Sequence, residues 1–277
     1  MEITKMSKRN SQSAKTAARE RLRQERERQA KRDKARRQVI VAGSVVAVLA
    51  AAGGIGYAVV QGNKPAYWEG LKDARVTAPA NTTGKDGTTV VIGKDTAKKT
   101  LKVYEDPRCP VCAQFEQAVG PTVKKDVDDG KFKIQFVGAT FLDDKFGGEG
   151  SKNALGALGA ALDVSPEAFL EYKSALYAAK WHPEELDDKL SNDGYLLKIA
   201  ATVPALKSNA GFQDAVKKGT YDAWAVAMSK AFDENKDGVQ GTPSFVMDGK
   251  KLVVDAKGNP PMSVADFNRT VDAALKG

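Results

Sequence analysis

Cys109-Pro110-Val111-Cys112 holds both cysteines of this 277-residue chain. An apolar, β-leaning run, Leu101-Lys102-Val103-Tyr104, leads into it and a helix-like run follows. Proline is well tolerated at the first helical position, where the missing N–H has no intrahelical acceptor, so Cys109 is expected at the N-cap and Pro110 at N1. Unpaired backbone N–H groups and the positive end of the helix dipole then face the Cys109 sulfur and favour its thiolate. Cys112, one turn further on, is expected beside Cys109 but deeper, the place for a thiol that resolves a mixed disulfide. The spacing points to a dithiol–disulfide centre with Cys109 as nucleophile. Arg108 adds a cation beside it and Val111 adds no charge. Arg108, Pro110 and Val111 are the positions expected to tune the centre, with most thiolate stabilisation coming from the helix end.

The same residues admit other readings. A purely structural disulfide across so short a loop contributes only about 2 kcal/mol, against about 4.7 for a 100-residue loop, so a chain with one pair gains little by placing it here. A structural zinc site wants four ligands. The two cysteines and the sole histidine, His182, do not reach that number, and no metal or other cofactor is expected. His182, beside Trp181 and Pro183, reads as a surface or interface residue. Asp233-Glu234-Asn235-Lys236-Asp237-Gly238 copies the first half of a calcium loop, but its twelfth position is Ser244 rather than Glu and Pro243 interrupts it. A polar helix-to-strand turn is expected there.

Charge is unevenly distributed. The chain carries 43 Lys/Arg against 35 Asp/Glu, and residues 1–37 alone hold 14 and 5 of these, so the tail accounts for the whole net +8. From Val39 to Val60 no residue is charged, and at about 1.5 Å per residue such a run is long enough to cross a bilayer core of roughly 30 Å. Basic flanks stay in the cytoplasm, which places the C-terminal part on the far side, where disulfides persist. A cleaved signal peptide remains the alternative, with Ala50-Ala51-Ala52-Gly53 as a possible cleavage region and Arg36-Arg37 resembling a twin-arginine signal. The tail is helix-favouring and polar on every face. Without interleaved aromatic residues it gives no reason to expect a nucleic-acid partner.

The expected organisation is a basic cytoplasmic tail over 1–37, a transmembrane anchor over 38–60, a linker over 61–87 and a folded domain over 88–277. In that domain Thr88–Ile92 and Leu101–Tyr104 read as strands, Cys112–Asp128 as a helix kinked at Gly120-Pro121, and Lys131–Val137 as a strand of period two. Residues of about 150–237 read as a helical insertion, with segments near 152–162, 166–178, 183–190, 192–201, 211–218 and 220–233. Ser244–Met247 and Lys251–Val254 flank an Asp-Gly turn, and Ser263 caps a last helix. This is an α/β domain of order β-α-β, helical block, β-β-α.

The tract Val103 to Cys112, with Gly241-Thr242-Pro243 about 130 residues later and helices between, resembles the DsbA-like thiol–disulfide oxidoreductases of the thioredoxin superfamily, in the membrane-anchored form of actinobacterial envelopes. The resemblance covers roughly residues 86–277. It implies a thioredoxin fold with an all-helical insertion, behind a single transmembrane helix. It also implies a cis peptide bond between Thr242 and Pro243, with Thr242 beside Cys109 to pair with an extended substrate segment. The implied activity is disulfide exchange with the cysteines of exported proteins, most readily as an oxidase recharged by a quinone-linked membrane partner. A reductase or isomerase fed by a membrane electron donor is the alternative within the fold, and a non-catalytic anchored binding protein the alternative outside it. Arg108 stands where thioredoxins usually have Trp, and Val111 where strongly oxidising members carry His, so oxidising strength does not carry over.

Overall fold

The apolar run before the cysteines becomes the central strand of a mixed sheet. In a computed structural model, which describes residues 67–276, β1 (Val90–Ile92), β2 (Thr100–Glu105), β3 (Lys133–Gly138), β4 (Ser244–Met247) and β5 (Lys250–Lys251) lie in the order β1-β3-β2-β4-β5. β2 and β3 are parallel, and parallel neighbours need a crossover, here helix α1 (Pro110–Asp128). β4 runs antiparallel to β2 with Ser244 opposite Tyr104. The start of β4 therefore lies beside the end of β2, and the Thr242-Pro243 loop meets the turn that carries Cys109.

The helical block comprises α2 (Phe141–Phe146), α3 (Gly150–Val164), α4 (Pro166–Tyr177), α5 (Asp193–Ala200), α6 (Pro204–Lys207), α7 (Ala210–Lys218) and α8 (Asp222–Asp233), and α9 (Val264–Lys276) ends the fold. The sheet is buried on both sides. On one, Phe115 and Val119 of α1 and Phe267 of α9 pack on Leu101, Val103 and Phe245. On the other, Leu155, Phe169, Tyr172 and Trp224 of the block join Tyr104 and Phe136. Central parallel strands buried on both faces read as apolar runs rather than strict alternation.

The Ala/Gly-rich sequence of α3 permits close approach of its neighbours. A β-carbon on Gly159 would lie 2.8 Å from Cε3 of Trp224. Gly159→Ala is therefore expected to lower stability by about 1–3 kcal/mol despite the better helix propensity of Ala. A urea midpoint equal to that of the parent would refute this close-packing account.

Several expectations are corrected. The segment near 183–190 is not a helix, apart from a 3₁₀ turn at Lys189–Ser191. Asp188 instead accepts the backbone N–H groups of Glu149 and Gly150 at the start of α3. The expected helix at Cys112–Asp128 is present and continues through Gly120 and Pro121, with Pro121 and Gln117, the position four residues before it, both on the exposed face, where water can take the place of the missing donor. Gly120 serves packing instead: a β-carbon there would lie 2.8 Å from the carboxyl carbon of Glu116. The second hairpin strand is only Lys250–Lys251, since the chain turns away through Asp255–Asn259. Helix α2 has no counterpart in the sequence reading. The calcium-like segment uses Asp237 as a partner of Lys102 (2.7 Å) and Tyr104.

Residues 67–87, within the expected linker, are packed on the helical block. Trp68 is buried, the Tyr67 hydroxyl donates to Asp222 (3.0 Å), Asn81 donates to the Leu162 carbonyl (3.0 Å) and the Trp224 indole donates to the Gly87 carbonyl (2.8 Å). Among the described residues no helix is long and apolar enough to cross a membrane. The expected span at Val39–Val60 and the tail before it lie outside the described residues.

Candidate active site

β2 delivers the chain into a tight turn that ends at the N-terminus of α1. Cys109 is the N-cap in extended conformation, Pro110 occupies the first helical turn, and the Cys109 Sγ accepts the backbone N–H of Cys112 at 3.4 Å. Cys109 is 6% exposed and Cys112 fully buried, while Val111 between them is 40% exposed. Of the two cysteines, Cys109 is the less buried. Both cysteines are thiols here. Across the sheet the Thr242–Pro243 bond is cis, and the Thr242 carbonyl accepts from the Cys109 thiol at 3.5 Å. The Thr242 hydroxyl is buried without a hydrogen-bond partner among the described residues, a donor available to a thiolate.

The two thiols differ sharply in acidity. The Cys109 thiol is lowered to about 6 by hydrogen bonding from Cys112, which outweighs burial, with further help from Thr242 and the N–H groups of Cys112 and Val111. The Cys112 thiol is pushed well above the ordinary range by burial and by the proximity of Cys109. An acidic thiol beside a more deeply buried, protonated one is what a nucleophile and its resolving partner require.

Arg108 is 2% exposed and points away from this pair. Its guanidinium meets Asp143 (2.9 Å), Asp188 (3.4 Å) and the carbonyls of Gly147 and Glu185 (2.9 Å each). The charge expected to act on Cys109 is thus neutralised by two carboxylates, and the groups lowering the thiol are those of the helix start and Thr242. Asp106 completes the turn. Its carboxylate accepts the Arg108 N–H (2.9 Å), the Leu142 N–H (3.2 Å) and the Ser151 hydroxyl (2.6 Å), and burial pushes it up to about 7.

Behind the cysteines lies a buried trio that the sequence reading missed. Lys173 of α4 meets Glu116 of α1 at 2.6 Å and Glu105 of β2 at 3.1 Å. Burial pushes Glu105 up to about 7, with Lys173 opposing and Glu116 and Cys109 adding to the rise. Burial works against the charge on Lys173, but the two glutamates outweigh it and raise its pKa. One signal was available: Glu105-Asp106, two acids closing an otherwise apolar central strand, are anomalous unless they serve the adjoining site. Lys173 carries no such mark in the sequence. Among the described residues no group of three or more His, Cys, Asp or Glu is arranged to hold a metal ion.

Comparison with known proteins agrees with this architecture. The model of a family described as Thioredoxin matches residues 85–273. Disulfide bond formation protein D of Bacillus subtilis is 26% identical over 192 residues, covering 68% of this chain and 77% of that protein. The serine/threonine-protein kinase PknE of Mycobacterium tuberculosis is 28% identical over 176 residues, 59% of this chain; the match spans only 29% of the kinase's length. Among solved structures, MdbA, a thiol-disulfide oxidoreductase from Actinomyces oris, superposes with a TM-score of 0.56 at 23% identity, covering 76% of this chain and 96% of that one. BdbD from B. subtilis gives 0.55 at 22% (74% and 100%), and DsbA from M. tuberculosis 0.53 at 22% (69% and 98%). At these identities the structural likeness is one of fold.

Proposed function

The chain belongs to the thioredoxin family, and from that premise we propose that it is a thiol–disulfide oxidoreductase that passes disulfides to exported proteins through Cys109 and Cys112. One observation carries this reading: an N-cap sulfur flanked by Thr242-Pro243, with its partner thiol fully buried one turn along the same helix. In the oxidase direction a substrate thiolate attacks Cys109 Sγ of the Cys109–Cys112 disulfide. The S–S bond breaks and its electron pair leaves on Cys112, which takes up a proton because burial disfavours its charge. A second substrate thiolate then attacks the substrate sulfur of the mixed disulfide and expels Cys109 as a thiolate. The substrate has lost two electrons and the dithiol has gained them. Glu105, a buried carboxylate whose charge helps to raise the Cys112 thiol, is our candidate to exchange the Cys112 proton.

The same sulfur supports the oxidase direction. A folded thiol pKa of about 6 against an ordinary value of 9.0 stabilises the reduced protein fully above the unfolded value, and that stabilisation is lost as pH falls through about 6. At neutral pH this stabilises the reduced form relative to that of an ordinary dithiol, which shifts the disulfide toward donation. The same fold run in reverse is a reductase or isomerase.

Supporting an extracytoplasmic site of action are the uncharged run Val39–Val60 and the basic stretch before it. The proposed arrangement is an anchor with a cytoplasmic N-terminus, exported polypeptides with cysteine thiols as substrates, and a membrane redox partner that reoxidises Cys109–Cys112. Alkylation of the reduced chain is expected to modify Cys109 alone, at half-maximal rate near pH 6. Its equilibrium with glutathione should lie above the pool's roughly −220 to −260 mV. A potential near about −270 mV would move the assignment to reductase, and a thiol titrating near 9 would remove the catalytic reading.

A further inference from the structure

The turn carrying Cys109 is held from outside the sheet by the end of α4. The Tyr177 hydroxyl donates to the Asp106 carbonyl at 3.1 Å, the same carbonyl that accepts the Cys109 N–H at 2.9 Å. The next carbonyl in the chain, that of Pro107, is paired with His182 Nε2 at 3.1 Å. A carbonyl can only accept, so Nε2 carries the proton in this contact. The imidazole stacks on the Tyr177 ring, with centroids 5.7 Å apart and planes at 25°. The N–H groups of Trp181 and His182 both return to the Ala178 carbonyl (2.8 and 2.9 Å), fixing the ring relative to α4. Gln117 of α1 donates to the Tyr177 carbonyl at 2.7 Å, tying this corner to the helix that bears both cysteines. The helical block thus presents two donors to the two consecutive carbonyls that precede Arg108 and Cys109.

We propose that His182 is a positioning residue for the exchange reaction: by holding the Pro107 carbonyl it keeps the first-turn N–H groups of α1 aimed at Cys109 Sγ. This rests on the reading of Cys109 as the exchange nucleophile. The Cys112 N–H reaches the sulfur at 3.4 Å, and hydrogen bonds weaken steeply as their angle opens, so a small rotation of the turn removes much of their support for the thiolate. The titratable neighbours of the ring are Tyr177 and Glu184, and burial lowers its pKa, so it is neutral at pH 7 and acts as a donor rather than as a charge. Cys109 itself faces Cys112 and Glu105.

The test compares His182→Phe, which keeps an aromatic ring on Tyr177 but has no donor, with His182→Gln, which has a donor at the corresponding reach but no ring. In the full-length solubilised chain, the pH profile of Cys109 alkylation is followed by mass spectrometry. The Phe variant is expected to react about fivefold more slowly than the parent at pH 6, the effect of a one-unit rise in thiol pKa on the thiolate fraction, and equally fast at pH 9.5. The Gln variant should stay within about twofold of the parent at both pH values. His182→Leu, also without a donor, replaces the Phe variant if that one does not fold. A parental profile in the donor-less variant, or a Gln variant as slow as it at pH 6, overturns the inference while leaving Cys109 as nucleophile. A parent protein whose Cys109 titrates as an ordinary thiol instead overturns the functional reading on which the inference rests.

Discussion

Cys109→Ser is expected to abolish disulfide exchange with a reduced unfolded polypeptide, a fall of about 10³-fold or more, because the hydroxyl cannot form the mixed disulfide. Cys112→Ser is expected to fail differently. With Cys109 still presented at the helix start, the variant should form a mixed disulfide with a substrate thiol supplied in oxidised form, but nothing resolves it from within. It should accumulate as a covalent adduct visible on a non-reducing gel. The asymmetry is the diagnostic part, since a mere structural disulfide predicts two similar variants that lose some stability and trap nothing. Equal behaviour of the two serine variants, or residual exchange in Cys109→Ser, would remove the assignment of roles.

The largest stability effect is expected at Arg108. Its side chain is 2% exposed and Asp143, which it pairs with at 2.9 Å, is fully buried. Arg108→Met leaves Asp143 with the N–H groups of Ser151 and Lys152 (2.9 Å each) and the Lys152 ammonium at 3.7 Å, but without its nearer counter-charge. Removing one partner of a buried pair typically costs about 3–5 kcal/mol, far more than the pair contributes over an apolar replacement. The Arg108→Met, Asp143→Asn double variant should recover part of that loss, because the stranded charge is gone. Chemical denaturation of the three proteins decides the matter. A single variant within about 1 kcal/mol of the parent would mean that water reaches this cluster. The change at Cys109 is expected to come through the loosened turn, since the guanidinium is already balanced by Asp143 and Asp188.

What was legible in the sequence was local. Cys109, Pro110 and Cys112 announce an N-cap, a first turn and a second thiol by adjacency, and the structure has the turn in that form. Ser165-Pro166 and Ser263-Val264 likewise mark helix starts through short-range hydrogen bonds. The cis bond at Thr242–Pro243 was implied by resemblance rather than by periodicity, and it is present. What was not legible is set by partners distant in the chain. Arg108 reads as a free cation until Asp143 and Asp188 are brought to it. His182 reads as peripheral until α4 folds back on the turn. Lys173 belongs by sequence to an amphipathic helix, and only its contacts with Glu105 and Glu116, 68 and 57 residues away, give it a role. The expected helix at 183–190 fails for the same reason, because its capping atoms are used by Arg108 and α3.

Thr242 lies 133 residues from the sulfur it faces, with the whole helical block between. Closing so long a span carries a loop-entropy cost that is met only with the sheet that requires it. Until then Cys109 has the helix start but lacks Thr242, one of the groups that lower its thiol. Full reactivity in this protein is thus conditional on completion. A partly folded copy carries a less acidic Cys109 thiol with which to join its neighbours, and full chemical competence itself reports that the fold has closed.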